Sequence, residues 1–257
     1  MSTVKKGIVK SRIKMKTGIT FIVIPLMTLA GVSWALAGEP VVSHLIVTDV
    51  NPLAFSVAWV ASEPSTCTVR LFDEQHRNLA DVKTISESRQ HRPAEDLGVM
   101  KVRVHGLRPD TNYLVQTVTT SKKDGKIIIY PEKPISVRTE KNAVPVSNSV
   151  FAQKIYHTNQ MKGDGSLLIA SVDGGSYPVS GWVGAQPNPP SPWALVDLNN
   201  LYSARTHQNL EVRGGEKITV EVLGGVRGYS RFSGKVPHAS QGSIIELSPP
   251  IVLKTSQ

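Results

Sequence analysis

The stretch Gly106-Leu107-Arg108-Pro109-Asp110-Thr111-Asn112-Tyr113, running on into Leu114-Val115-Gln116-Thr117-Val118-Thr119-Thr120, constrains the fold more than any other part of the chain. Its first part is a turn: Pro109 fixes its own φ, and Asp110 can hydrogen-bond its own backbone. Its second part alternates and is rich in Val and Thr, the pattern of a half-buried strand. Tyr113 stands where turn becomes strand. Its ring can enter a core while its hydroxyl reaches back to a turn carbonyl. A chain organised around such a corner is built from short antiparallel strands.

The rest of the first half repeats the pattern. Residues 41–50 are extended and Asn51-Pro52 is a turn. In Phe55-Ser56-Val57-Ala58-Trp59-Val60 the alternation places Phe55, Val57 and Trp59 on one face. Residues 66–72 put Cys67, Val69 and Leu71 on one face. Residues 79–85 fit a short edge strand and the polar 86–96 a loop. Strands follow at 99–104, 127–130 and 135–139. That is roughly seven short strands in about 100 residues, as a sandwich requires. Trp59 and Tyr113 are expected in its core.

Composition agrees with an all-β chain. Of 257 residues 40% are hydrophobic, and 17 Pro and 20 Gly suit many turns. The formal charge of +9 is concentrated at one end, where Lys5, Lys6, Lys10, Arg12, Lys14 and Lys16 precede an uncharged apolar run at 18–36. Without those six, 23 basic side chains face 20 acidic ones. No basic stripe with interleaved aromatics remains, so nucleic acid is not an expected partner. The basic segment, the apolar run and Ala35-Leu36-Ala37 before Gly38 form an export signal with a small-x-small cleavage pattern. Uncleaved, residues 18–36 are just long enough for a membrane anchor. The expected location is outside the cytoplasm of a bacterium: periplasmic, cell-surface or secreted, or held at the inner membrane by 18–36.

The run Val47-Thr48-Asp49-Val50, Phe55 through Trp59, Glu63-Pro64-Ser65-Thr66 and Val69-Arg70-Leu71, with Leu107-x-Pro109-x-Thr111-x-Tyr113, resembles bacterial fibronectin type III domains. The resemblance covers residues 39–141 and implies an interaction or spacer module without catalytic residues. After a linker at 142–149, residues 150–257 are expected to form a second sandwich. Gly174-Gly175-Ser176-Tyr177-Pro178-Val179-Ser180, Trp193 through Leu198 and Gly215 through Val222 resemble prealbumin-like or carboxypeptidase-regulatory-like domains. Residues 227–242 find no counterpart there and read as a long loop. The fold expected is therefore two tandem immunoglobulin-like β-sandwiches behind an N-terminal signal or anchor helix at 1–37.

Chemical motifs are sparse. Gly174-Gly175-Ser176-Tyr177-Pro178 lacks the second glycine of a nucleophile elbow. The seven histidines have no metal-helix spacing, and Asp164-Gly165 and Asp173-Gly174 are too sparse for a calcium loop. Cys67 is the single cysteine and reads as a small buried hydrophobe. No cofactor, metal or catalytic residue is expected. The reading is a non-catalytic interaction or scaffold protein whose partner is an envelope or extracellular protein. A carbohydrate-binding protein is one alternative, and an enzyme with its site at the domain junction is another. Tyr177, Trp182, Trp193 and Tyr202 flank the proline-rich 186–192 as candidate sugar platforms, and Arg227, Tyr229 and Arg231 form a candidate basic-aromatic contact.

Overall fold

Apolar alternation becomes strand pairing from residue 42 onward. The computed structural model describes residues 40–142, 144–185, 190–240, 242–247 and 249–254. The leader at 1–37, including the possible anchor at 18–36, lies outside the described residues, as do 186–189 of the proline-rich segment. The chain is nearly all β, 50% strand and 5% helix. Among the described residues no helix is long and apolar enough to cross a membrane.

The first half contains β1 (Val42–Thr48), β2 (Ala54–Ala61), β3 (Ser65–Phe72), β4 (Lys83–Ser86), β5 (Val99–His105), β6 (Asn112–Ser121) and β7 (Ile127–Arg138), with a short helix α1 (Ala94–Leu97). They form two antiparallel sheets, β1-β2-β5-β4 and β3-β6-β7. Phe55, Val57 and Trp59 of β2 do share a face. They meet Val69 and Leu71 of β3, Met100, Val102 and Val104 of β5, and Tyr113 and Val115 of β6 in one core. Trp59 is fully buried, and its indole N–H bonds Thr119 Oγ1 at 2.9 Å, tying the two sheets together. Tyr113 makes its corner differently from the expectation: its hydroxyl accepts from the Arg108 amide N–H at 2.9 Å rather than donating to a carbonyl.

The second half contains β8 (Val150–Tyr156), β9 (Leu167–Val172), β10 (Val179–Trp182), β11 (Trp193–Asp197), β12 (Lys217–Leu223), β13 (Tyr229–Lys235), β14 (Ile244–Glu246) and β15 (Ile251–Val252). One sheet runs β10-β9-β12-β13. The other runs β11-β8-β14, with β15 also on β8. β14 and β15 lie parallel to β8, whereas the remaining pairs are antiparallel. Phe151, Ile155, Leu168, Ala170, Val196, Ile218, Val220 and Val222 fill the space between these sheets.

Two expectations are corrected. Residues 227–242 are not simply a loop, because β13 pairs with β12 over seven residues and Phe232 packs against the second core. The polar 86–96 leads into α1, whose Ala94 and Leu97 are buried.

The largest departure concerns the outer faces. β2 was expected to bury one face and buries both, only Val60 being half-exposed. A third core explains this. Ala58, Ala94, Leu97 and Val99 of the first half pack on Leu167, Ile169, Trp182 and Leu223 of the second. β2 of the first half and β9 of the second are thereby buried on both faces, whereas the edge strand β4 stays exposed. All described residues fall in one compact unit. Residues 144–149 lie along the second half: the Val144 amide bonds Asn209, and buried Asn148 bonds the carbonyls of Leu198 and Leu210 at 2.9 and 2.7 Å. At Gly225, φ is +59° and the backbone lies against the Leu97 carbonyl, so a Cβ there would collide with that oxygen.

Candidate functional site

The polar groups that the strands bring together gather where the two halves meet. Alternation on β5 sends Met100 and Val102 into the first core and Lys101 to the opposite face. That face is covered by the second half, so Lys101 is only 5% exposed. Its ammonium lies 3.0 Å from Asp49 Oδ2 and 2.8 Å from Glu87 Oε2. Asp49 follows β1 in the left-handed region, at φ +54°. It accepts from the Ser180 amide at 2.8 Å, the Ser180 hydroxyl at 2.6 Å and the Thr48 hydroxyl at 2.8 Å. Glu87 also accepts from the Trp182 indole at 3.2 Å, and His91 stacks on Trp182 at 4.9 Å.

Electrostatics follow from this geometry. Burial alone would push the Lys101 ammonium down, but Asp49 and Glu87 outweigh it and hold the group above its ordinary value. Burial likewise opposes ionisation of Asp49, yet Lys101 and the Ser180 hydrogen bond hold its carboxyl below the ordinary value. A cation and two carboxylates, bonded to Ser180 and Trp182 of the second half, form a clasp between the halves.

A second cluster joins the halves beside it. Glu140 is fully buried and accepts from the Ser176 hydroxyl at 2.5 Å, while His207 Nδ1 lies 2.9 Å from its other oxygen. Serine and histidine both bond the carboxylate and not each other. The order needed to activate a serine nucleophile, hydroxyl to imidazole to carboxylate, is not the one made here.

A third feature is a cleft of about 540 Å³ with Arg92 and Pro93 on one wall and Gln160, Met161, Lys162, Asp164 and Arg227 on the other. Arg227 lies 3.2 Å from His157 Nε2. Burial, then the Arg227 charge, lowers the His157 pKa, so the imidazole is neutral and accepts from the guanidinium. A larger groove of about 670 Å³ at the end of the first half is lined by two ion pairs, Arg77 with Asp73 and Arg138 with Asp110, and by Glu74 and Arg108.

The residues singled out in the sequence do not converge on one surface. Tyr177 packs against the first core and its hydroxyl accepts from the Arg138 amide at 3.3 Å. Trp182 and Tyr202 are buried. Trp193 is half-exposed, with Lys154 Nζ 4.5 Å from its ring centre. Arg227 enters the cleft. Tyr229 donates to Glu221 at 2.5 Å and stacks on His44 of the first half at 4.6 Å. Burial and Glu221 push its phenol up to about 12. Arg231 is exposed. Cys67 is half-buried beside Ser86, and burial raises its thiol to about 11, leaving almost no thiolate at neutral pH. Sequence reasoning passed over Lys101, Asp49, Glu87 and Glu140: a charged residue on an outward strand position, as Lys101 is, or just past a strand end, as the three acids are, ordinarily faces water.

No family model matches the chain, and no curated protein matches it. Among solved structures, a family 28 exopolygalacturonase of Yersinia enterocolitica is similar over 44% of this chain and 22% of its own, at 18% identity and a TM-score of 0.28. That degree of likeness carries neither fold nor activity across.

Proposed function

We propose that this protein is a non-catalytic, exported recognition or scaffold protein of the bacterial cell envelope, built as two immunoglobulin-like sandwiches, the first of fibronectin type III kind. The observation that carries the reading is the Lys101 clasp. Lys101, Asp49 and Glu87 pair with one another and bond Ser180 and Trp182 of the second half, which ties the two halves together. Rigid all-β bodies of this kind recognise partners through loop ends and sheet edges. The long edge strand β7, with Ile127, Ile129 and Tyr130 exposed, offers such a surface.

In-cell cross-linking of the tagged full-length chain tests this. Recovery of one defined envelope protein, with the same partner recovered in a reciprocal experiment, is the expected result. Recovery of polysaccharide without protein, or turnover of a substrate by the purified chain, overturns it. A carbohydrate-binding role has one specific support, the half-exposed ring of Trp193 flanked by Lys154.

A further inference from the structure

A sheet edge carries unpaired N–H and C=O groups, and several edges of this molecule are blunted against pairing. β1 breaks register between Ser43 and Ile46, β4 is four residues long and opens with Lys83, and β13 exposes Arg231 and Lys235. β7 is different over Ile127–Tyr130. It ends the β3-β6-β7 sheet, and no described strand lies beyond it. No charged side chain stands between Lys126 and Glu132. Ile127 is 61% exposed and Ile129 37%. Ile129 continues a row across the sheet, paired with Val118, which in turn pairs with Thr68. The backbone here is also set to pair. The Tyr130 carbonyl accepts from the Thr117 hydroxyl of β6 at 2.8 Å, so Tyr130 turns its backbone groups inward. Backbone direction alternates along a strand, and the register with β6 is regular from Ile127 to Tyr130. Ile127 and Ile129 therefore turn their N–H and C=O groups outward, away from β6.

We infer that the β7 edge pairs antiparallel with the β7 edge of a second copy of this chain, about a two-fold axis at Ile129. The charges select this occupant. Lys126 and Glu132 stand at equal distances along the chain on either side of Ile129. A two-fold axis there brings Lys126 of each copy within reach of Glu132 of the other, so the pattern is complementary to itself. Lys126 is held only loosely within its own chain, 3.8 Å from Asp124. On the axis the two Ile129 residues exchange both backbone hydrogen bonds, and Ile127 faces Pro131, which has no N–H to satisfy. The exposed isoleucines of the two copies then form one apolar row across a continuous sheet. Such a contact closes as a dimer and leaves no edge to propagate a filament. The inference rests on the reading of β7 as a recognition edge and names its occupant.

The test is sedimentation of the purified full chain over a range of concentrations, alone and as charge-swapped variants. The chain is expected to form a concentration-dependent dimer. Lys126→Glu sets like charges opposite each other twice, and Glu132→Lys does the same. Each variant alone should lose about tenfold or more in self-association. An equimolar mixture of the two restores both attractive pairs and should recover the dimer, a result that neither unfolding nor association through residues 18–36 produces. Ile129→Cys, on the axis, should give a disulfide-linked dimer on oxidation, because Cα atoms opposed there lie about 5.5 Å apart. A chain that stays monomeric, a dimer indifferent to both swaps, or variants that do not recover on mixing overturns the inference. A monomer that still captures one envelope protein in cells overturns the dimer and leaves the scaffold reading standing. A dimer that captures none does the reverse.

Discussion

Lys101 Nζ lies 3.0 Å from Asp49 Oδ2 in a position that water scarcely reaches, and this pair decides how the two halves are held. Neither partner comes from the second half. The second half enters through Ser180, whose amide and hydroxyl both bond Asp49, and through Trp182, which bonds Glu87. Lys101→Met removes the cation and leaves two carboxylates facing each other in a low-dielectric layer. Breaking a buried pair in this way costs about 3–5 kcal/mol. Chemical denaturation measures it. A loss below about 1 kcal/mol, the range of exposed pairs, would mean that the layer opens to solvent.

The pH dependence has three parts, each with a definite sign. Burial lowers His157, and Arg227 lowers it further; burial lowers His91 against the opposing pull of Glu87. Both titrate near 6.5 when unfolded, so below that pH the unfolded chain binds more protons. Stability is therefore full above 6.5 and declines as pH falls beneath it. His157→Gln and His91→Gln should flatten this limb. The lowered Asp49 contributes stability above its unfolded value of 3.8 and loses it in stronger acid. The raised Lys101 contributes fully below 10.5 and loses its contribution as pH rises through its folded value. Thermal unfolding from pH 3 to 11 resolves the three. A profile that is flat from 7 to 4 would contradict the histidine assignment.

The strands were legible wherever alternation marks the face that enters a core. Phe55, Val57 and Trp59 read correctly because period-two alternation states which face is buried. The corner at Tyr113 read correctly because Pro109 and Asp110 mark the turn. What alternation cannot state is what lies beyond the second face. Ala58 and Lys101 occupy outward positions that look solvated, and only long-range packing of β9 and β10 buries them. β13 was missed for another reason. Ser230, Ser233 and Gly234 have weak strand propensity, and pairing to β12 imposes the conformation. The clasp and the cleft share this character: their residues lie far apart in the chain, and no local spacing connects them.

Gly225 gives a mechanical test of the closed junction. Its left-handed backbone and its approach to the Leu97 carbonyl both exclude a side chain. Gly225→Ala must strain φ and wedge α1 from the second half, and each such backbone outlier costs on the order of 1–3 kcal/mol. Hydrogen exchange should accelerate at α1 and β10 while the amides of β6 stay protected. Uniform acceleration across both halves would mean that they unfold as one unit without the junction opening first.

Two tryptophans from the same half separate structural from surface roles. Trp182 fills the third core and bonds Glu87, so Trp182→Ala removes a large buried side chain and is expected to destabilise by about 3–5 kcal/mol. Trp193 sits half-exposed under Lys154, so Trp193→Ala should destabilise by no more than about 1 kcal/mol, mainly through the lost cation–ring contact. Denaturation midpoints give both numbers. Polysaccharide retention on the same proteins then decides the role of the exposed ring. Binding lost in Trp193→Ala with stability intact places a sugar platform there, whereas binding unchanged leaves Trp193 a covered residue of the outer sheet.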